Sequence, residues 1–144
     1  MNAFAHHFAF EFRTGIRNKQ LLLMNYLFPL GFYLMMGFIM AAINPPFREV
    51  IIPAMVVFAA LSATLLGIPD PLVNARENGI FRSYKINGIP SFSILVIPAL
   101  TAMMHFAIVT VIITATAPWL FDAPLPDNWL NYAIIVTVLA FACA

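Results

Sequence analysis

The chain has 144 residues, of which 62% are hydrophobic and 9% are charged. Soluble domains have ~45–50% apolar and ~25% charged residues, so this chain has too little polar surface for a water-soluble fold. The net charge of +1 is too small to give the positive surface potential of a nucleic-acid-binding protein. The single cysteine, Cys143, cannot form an internal disulfide. The composition predicts an integral membrane protein and disfavours a soluble enzyme, a disordered tail and a nucleic-acid partner.

The first twenty residues are too short and too polar to cross a bilayer. Their apolar side chains recur at four-residue steps, at Phe4, Phe8, Phe12 and Ile16. Polar side chains fall on the other side of the same helix, at His6, Arg13 and Arg17. This pattern predicts an amphipathic helix over residues 1–20 that lies in the membrane interface. The phenylalanines at positions 8, 10 and 12 also alternate with period two, which leaves a strand as the alternative.

Long uncharged runs, separated by short charged segments, make up most of the transmembrane region predicted from residue 21 to residue 144. A membrane helix needs roughly 20 apolar residues to cross about 30 Å of hydrocarbon. The runs predict spans at residues 21–43, 50–69, 92–117 and 129–144. They are continuously apolar and too long for the strands of a barrel. The predicted fold is all-α, with an interfacial N-terminal helix, three full transmembrane helices and a fourth truncated by the chain end.

The basic residues predict how the chain is oriented in the membrane. Six of them lie before the first span or between the second and third spans, at Arg13, Arg17, Lys19, Arg76, Arg82 and Lys85. The one on the opposite side is Arg48. Cytoplasmic loops carry the excess of Lys and Arg, so the N-terminus and the 70–91 loop are expected in the cytoplasm and the 118–128 loop outside. The chain is thus expected to be a multi-pass protein of the plasma membrane.

His105 is the titratable residue that the sequence places deep in a span. An ionisable group inside a membrane is a candidate for a substrate or ion pathway. The alternative is a neutral imidazole that hydrogen-bonds a neighbouring helix, with Thr101 one turn away on the same face. On the second span, Ala59, Ala63 and Gly67 follow the small-xxx-small pattern that permits close helix packing.

Four common motifs for nucleotide binding, metal binding and thiol chemistry are missing from the sequence. There is no GxxxxGK[ST] phosphate loop, no GxGxxG, no HExxH and no CxxC. His6 and His7 are adjacent, so they point in different directions on a helix, and no third metal ligand is near them. We therefore expect no enzymatic activity, no metal and no cofactor in this chain.

The loop at residues 70–91 is the longest polar segment between the spans. Asp70 and Pro71 fit a helix start, and Gly79 is expected to end that helix. A second short helix is expected at 80–86, with an aromatic face and a basic face formed by Phe81, Tyr84, Arg82 and Lys85. Such a helix suits docking on a soluble partner, and a solvated basic loop held to anionic lipid is the alternative.

This loop contains the run Arg76-Glu77-Asn78-Gly79-Ile80-Phe81-Arg82, followed by Pro90 and a new apolar span. The run resembles the R-E-x-G-[TI]-[LF] motif that ABC-2 type permeases carry between their second and third membrane helices. The order of elements agrees over essentially the whole chain, from the interfacial N-terminal helix to the short outer loop after the first span. Ser83 and Gly88 depart from the family pattern, which often has a basic residue and a proline there.

The resemblance implies the membrane-spanning permease subunit of an ATP-binding cassette exporter. Such permeases usually have six membrane helices, so this chain is expected to be an N-terminal fragment. They pair with a second permease subunit, as a homodimer or a heterodimer, and a separate ATPase subunit binds the ATP. On this resemblance the loop contacts the ATPase through Arg76, Glu77, Gly79, Ile80, Phe81, Arg82, Tyr84 and Lys85.

The residues are also compatible with other functions. The spans are rich in Phe and Met and lack buried acids, which favours a hydrophobic or amphipathic cargo. A small ion-coupled transporter is an alternative, in which His105 would replace the usual intramembrane acid. A non-transporting membrane scaffold or assembly protein is another, since the small-residue stripe and the aromatic loop fit it equally well.

Overall fold

The computed structural model describes residues 3–67 and 91–143, together with the single positions Val73, Glu77, Gly79 and Ile86. Nearly all of these residues are helical, and none of them is in a strand. The prediction of an all-α protein is confirmed for this part of the chain.

The helices are named in chain order. They are α1 (Ala3–Arg17), α2 (Lys19–Ile43), α3 (Phe47–Ser62), α4 (Ser91–Phe121) and α5 (Trp129–Ala142). Within the described ranges, two turns are wound as π-helix: Leu23–Leu27 within α2 and Ala63–Gly67 at the end of α3.

Three of these helices are long and apolar enough to cross a bilayer: Lys19–Ile43, Phe47–Leu65 and Val96–Phe121. This confirms a membrane protein with transmembrane helices. The apolar helix Trp129–Ala142 is shorter, with 14 residues that rise about 21 Å. Its length is less than the roughly 30 Å of hydrocarbon that a span must cross.

The N-terminal segment is a helix from Ala3 to Arg17, so the strand alternative is wrong. Asn18 then interrupts the helical backbone with φ −78° and ψ 111°. Its side-chain oxygen accepts hydrogen bonds from the backbone N–H groups of Gln20 and Leu21, at 3.0 and 3.4 Å. Side-chain oxygens that accept from N–H groups in the first turn of a helix act as N-terminal caps, so Asn18 caps the start of α2.

The turn between α2 and α3 and the segment between α4 and α5 lie at the same end of the bundle. The guanidinium of Arg48, in the first turn of α3, is 3.8 Å from the carboxylate of Asp122, just after α4. Asp122 has φ 53°, a left-handed conformation that Asp tolerates better than most residues. Asn128 caps α5 by accepting a hydrogen bond from the N–H of Asn131 at 3.0 Å. We call this end the Arg48 end.

The core lies where α2, α3 and α4 meet. Its most enclosed large side chains are Tyr33, Ile51, Ile52, Val56, Phe106, Val109 and Ile113. The short helix α5 packs against this core through half-buried Tyr132, Val136 and Leu139, and the Sγ of Cys143 lies 3.5 Å from the carbonyl oxygen of Ala60. Apolar side chains on the outer faces, such as Phe38 at 61% exposure, suit contact with lipid.

Candidate functional site

His105 lies where α1, α2 and α4 meet, and its side chain is 3% exposed. Its Nδ1 is 2.5 Å from the hydroxyl of Tyr26 on α2. The ring of Phe12 on α1 stacks on the imidazole, with ring centres 5.0 Å apart and planes at 18°. A Cβ atom at Gly15 would be only 3.2 Å from the Nε2 of His105. Helix α1 can therefore approach the imidazole closely because Gly15 has no side chain. We call Phe12, Gly15, Tyr26 and His105 the His105 cluster.

The cluster lies well away from the Arg48 end. His105 is sixteen positions before Phe121 on α4, a rise of about 24 Å. It lies within the candidate span Val96–Phe121.

The partner of His105 is on a neighbouring helix, as the alternative to a pathway role predicts. It is the phenol of Tyr26 on α2, 79 residues away in sequence. Thr101, one turn from His105 on the same face, donates its hydroxyl to the carbonyl of Ile97 at 2.9 Å. Sequence reasoning missed Tyr26 and Gly15 because no local pattern links residues on three different helices.

The packed face of α1 differs from the predicted apolar face. Phe8 and Phe12 are half-buried and stack on each other, with ring centres 6.5 Å apart, and Gly15 is buried. Ile16, expected on this face, is 42% exposed. The side chains of Phe4, His6 and His7 lie outside the described part. Among the described residues, no group of three His, Cys, Asp or Glu side chains could hold a metal ion.

The two π-helical turns pack against each other and against α4. In α2 the N–H of Phe28 donates to the carbonyl of Leu23, five residues back, so the turn holds one residue more than an α-helical turn. Tyr26 belongs to this turn, and its ring is the one that reaches His105. Single π-helical turns occur frequently at functional sites, and no sequence pattern had indicated either of these.

The small residues of α3 face the interior of the bundle. Ala59 is 3% and Ala63 is 5% exposed, in the region where α3 packs on α4. Gly67 ends the π-helical turn that starts at Ala63, so the i+4 spacing of the stripe does not continue in regular α-helix. Ala59 therefore packs within this chain, in the core cluster that also contains Val56 and Ala60.

The 70–91 loop is described at only a few positions. Glu77 is exposed, Val73 is 52% and Ile86 is 77% exposed, and Gly79 forms a turn. Gly79 has φ 67°, in the left-handed region where glycine avoids the strain of a side chain. The other proposed docking residues lie outside the described part: Arg76, Ile80, Phe81, Arg82, Tyr84 and Lys85.

Hydroxyl groups along α4 connect it to its neighbours. The hydroxyl of Thr116 is 3.1 Å from that of Tyr33 on α2. The hydroxyl of Thr114 is 2.5 Å from that of Tyr132 on α5. Each threonine hydroxyl also donates to the carbonyl four residues earlier. These bonds hold α2 and α5 against α4 without placing a charge in the apolar layer.

Comparisons of this chain with protein-family models, with curated proteins and with solved structures find no match. The functional argument therefore rests on the residues of the chain itself.

Proposed function

We propose that this chain is the membrane-spanning permease subunit of an ATP-binding cassette exporter of the ABC-2 type, driven by a separate ATPase subunit. The observation that carries the proposal is the run from Arg76 to Arg82, which resembles the family motif and lies between the second and third apolar helices. The position of the motif glycine adds support, since Gly79 has the positive φ that a glycine accommodates.

The loop is well connected to the parts of the bundle that it would move. The π-helical turn of α3 ends at Gly67, just before the loop, and α4 begins at Ser91, just after it. Both lead to the region of the His105 cluster, where α1 and α2 also pack on α4. In this proposal, closure of the ATPase subunits moves the loop, and the helices reorient to give alternating access.

The proposal also assigns partners, orientation and cargo. The N-terminus and the 70–91 loop are cytoplasmic, the protein resides in the plasma membrane, and a second permease subunit completes the pathway. ATP binds to the ATPase subunit, and this chain uses no cofactor. A hydrophobic or amphipathic cargo suits the apolar helices, in which the one acid of the described spans, Glu49, stands in the first turn of α3.

A small ion-coupled transporter is less well supported. Such a protein needs a titratable group that the transported ion can reach. His105 is enclosed by Phe12, Tyr26 and the close approach of Gly15, and its Nδ1 already has a hydroxyl partner. These contacts favour a role for His105 in fastening α1 to the bundle.

The test begins with the DNA on both sides of the coding segment. A neighbouring gene for a protein with a GxxxxGK[ST] loop is expected, and its product is co-expressed with this chain. Single cysteines are introduced in a Cys143→Ser background at Glu77→Cys and Ile86→Cys, both exposed in the loop. The matched control is Leu125→Cys, which is 47% exposed at the Arg48 end.

A short thiol-to-amine crosslinker is expected to join the ATPase to the two loop cysteines and not to the cysteine at position 125. Addition of ATP should change the crosslinking yield, because the loop moves with the ATPase. Equal yields from the loop and from position 125, or no complex between the two proteins, would contradict the proposal and favour a scaffold.

A further inference from the structure

The exposed face of α1 has a composition that the packing of the helix does not explain. Phe8, Phe12 and Gly15 turn toward the bundle. A period of 3.6 residues places Phe10, Arg13 and Arg17 on the opposite side. All three are exposed, and Phe10 is 65% exposed. We call these three residues the Arg13 face.

Charge is distributed unevenly around this helix. Arg13, Arg17 and nearby Lys19 are exposed, whereas the acidic residue of the segment, Glu11, is half-buried. No acidic side chain in the described ranges forms an ion pair with any of these three basic residues. The Arg13 face is therefore cationic and is free to bind an anion.

The position of α1 brings this face to the membrane boundary. Helix α1 ends at Arg17, and the candidate membrane span of α2 begins at Lys19, directly after the break at Asn18. The C-terminal end of α1 is therefore next to the start of an apolar span. An arginine here can lay its stem along the apolar layer and reach the phosphate level with its guanidinium.

We infer that the Arg13 face binds the headgroups of anionic phospholipids, with Phe10 inserted beside them at the acyl boundary. A guanidinium matches a phosphate through two parallel hydrogen bonds, and an aromatic ring suits the interfacial region. Ile16, 42% exposed on the flank of the helix, extends the apolar contact. The lipid-binding side is thus opposite to the Phe8 and Phe12 side that the spacing had indicated. This inference does not depend on the transporter proposal.

Tryptophan fluorescence tests the inference in the full chain. The two native tryptophans are replaced by Trp119→Phe and Trp129→Phe, and Phe10→Trp supplies a single probe on the Arg13 face. The protein is placed in nanodiscs that contain either brominated phosphatidylglycerol or brominated phosphatidylcholine at equal mole fraction. Quenching by the anionic lipid is expected to exceed quenching by the zwitterionic lipid, with each arginine contributing about fivefold to the local preference.

The controls separate the Arg13 face from the rest of the protein. The pair Arg13→Gln and Arg17→Gln should remove the preference, while Arg48→Gln, at the other end, should keep it. A probe at Phe8→Trp, on the packed side, should be quenched weakly by both lipids. Ile16→Trp serves as the exposed probe should Phe10→Trp fail to fold.

Two results would overturn the inference. Equal quenching by the two brominated lipids would mean that the face contacts lipid without recognising its charge. Quenching by aqueous iodide with none from either lipid would mean that the face meets water or a soluble acidic partner.

Discussion

At the scale of single residues, two close contacts in the described part of the bundle involve glycine. Gly15 allows α1 to reach His105, and Gly37 allows the ring of Phe121 to lie against the backbone of α2. That ring has little room to move, because Tyr33 and Phe38 meet it edge-on at 5.4 and 5.1 Å. A side chain at either glycine would force a neighbouring ring or helix to shift.

Gly37→Ala is expected to destabilise the protein. Its Cβ would overlap the tip of the Phe121 ring, and overpacking of this kind costs about 1–3 kcal/mol. Gly31→Ala, in the same helix, meets no atom within 4 Å and should be neutral or raise stability by up to about 1 kcal/mol. The apparent melting temperatures of the two variants in micelles test this difference. Equal melting temperatures for Gly37→Ala and Gly31→Ala would contradict the packing described for Phe121.

The hydrogen bond between Tyr26 and His105 is expected to contribute measurably to stability. Tyr26→Phe and His105→Phe each keep a ring and remove one partner of the bond. Interhelical hydrogen bonds in membranes average about 0.6 kcal/mol in double-mutant cycles, so a coupling of about that size is predicted. Unfolding midpoints of the two single variants and the double variant give this value, and strictly additive effects would show that the bond contributes nothing.

At the scale of helices, the sequence predicted the elements well and their contacts poorly. Long uncharged runs predict long helices directly, because in lipid only a helix forms all of its backbone hydrogen bonds within one segment. The side on which an apolar residue packs is not predictable in the same way, since lipid and protein interior are both apolar. Ile16 and Phe12 share one predicted face, yet one is exposed and the other packs on His105.

The π-helical turns illustrate the same limit. Each π-helical turn holds one residue more than an α-helical turn, and the packing of α2, α3 and α4 determines where this extra residue is placed. The sequences of Leu23–Leu27 and Ala63–Gly67 contain no local pattern that predicts a π-helical turn.

Deletion of Leu27 is expected to be tolerated. Leu27 is 62% exposed in the π-helical turn, and removal of one residue there would convert the turn to regular α-helix while the following residues keep their faces. Deletion of Leu34, exposed in regular helix, is the matched control, because it would rotate Gly37 by about 100° away from Phe121. Folded yield by gel filtration should be retained only for the first, and equal loss would contradict the π-helical assignment.

At the scale of the whole molecule, three apolar helices and two groups of connections determine the architecture. The ion pair between Arg48 and Asp122 brings both connections of one end together. The 70–91 loop follows α3 and precedes α4 in the chain. The distribution of basic residues predicts that this loop and the 118–128 loop are on opposite sides of the membrane. The contact of Phe12, Tyr26 and His105 required the structure, because those residues lie far apart along the chain.

The most direct test of the account is cysteine labelling in intact cells, since the coupling proposal requires the 70–91 loop to be cytoplasmic. Native Cys143 is 2% exposed and should remain unlabelled by a membrane-impermeant maleimide. In a Cys143→Ser background, Leu125→Cys is expected to label in intact cells, and Glu77→Cys only after the membrane is permeabilised. Labelling of Glu77→Cys in intact cells at the rate of Leu125→Cys would contradict the proposed orientation and, with it, an ATPase contact at this loop.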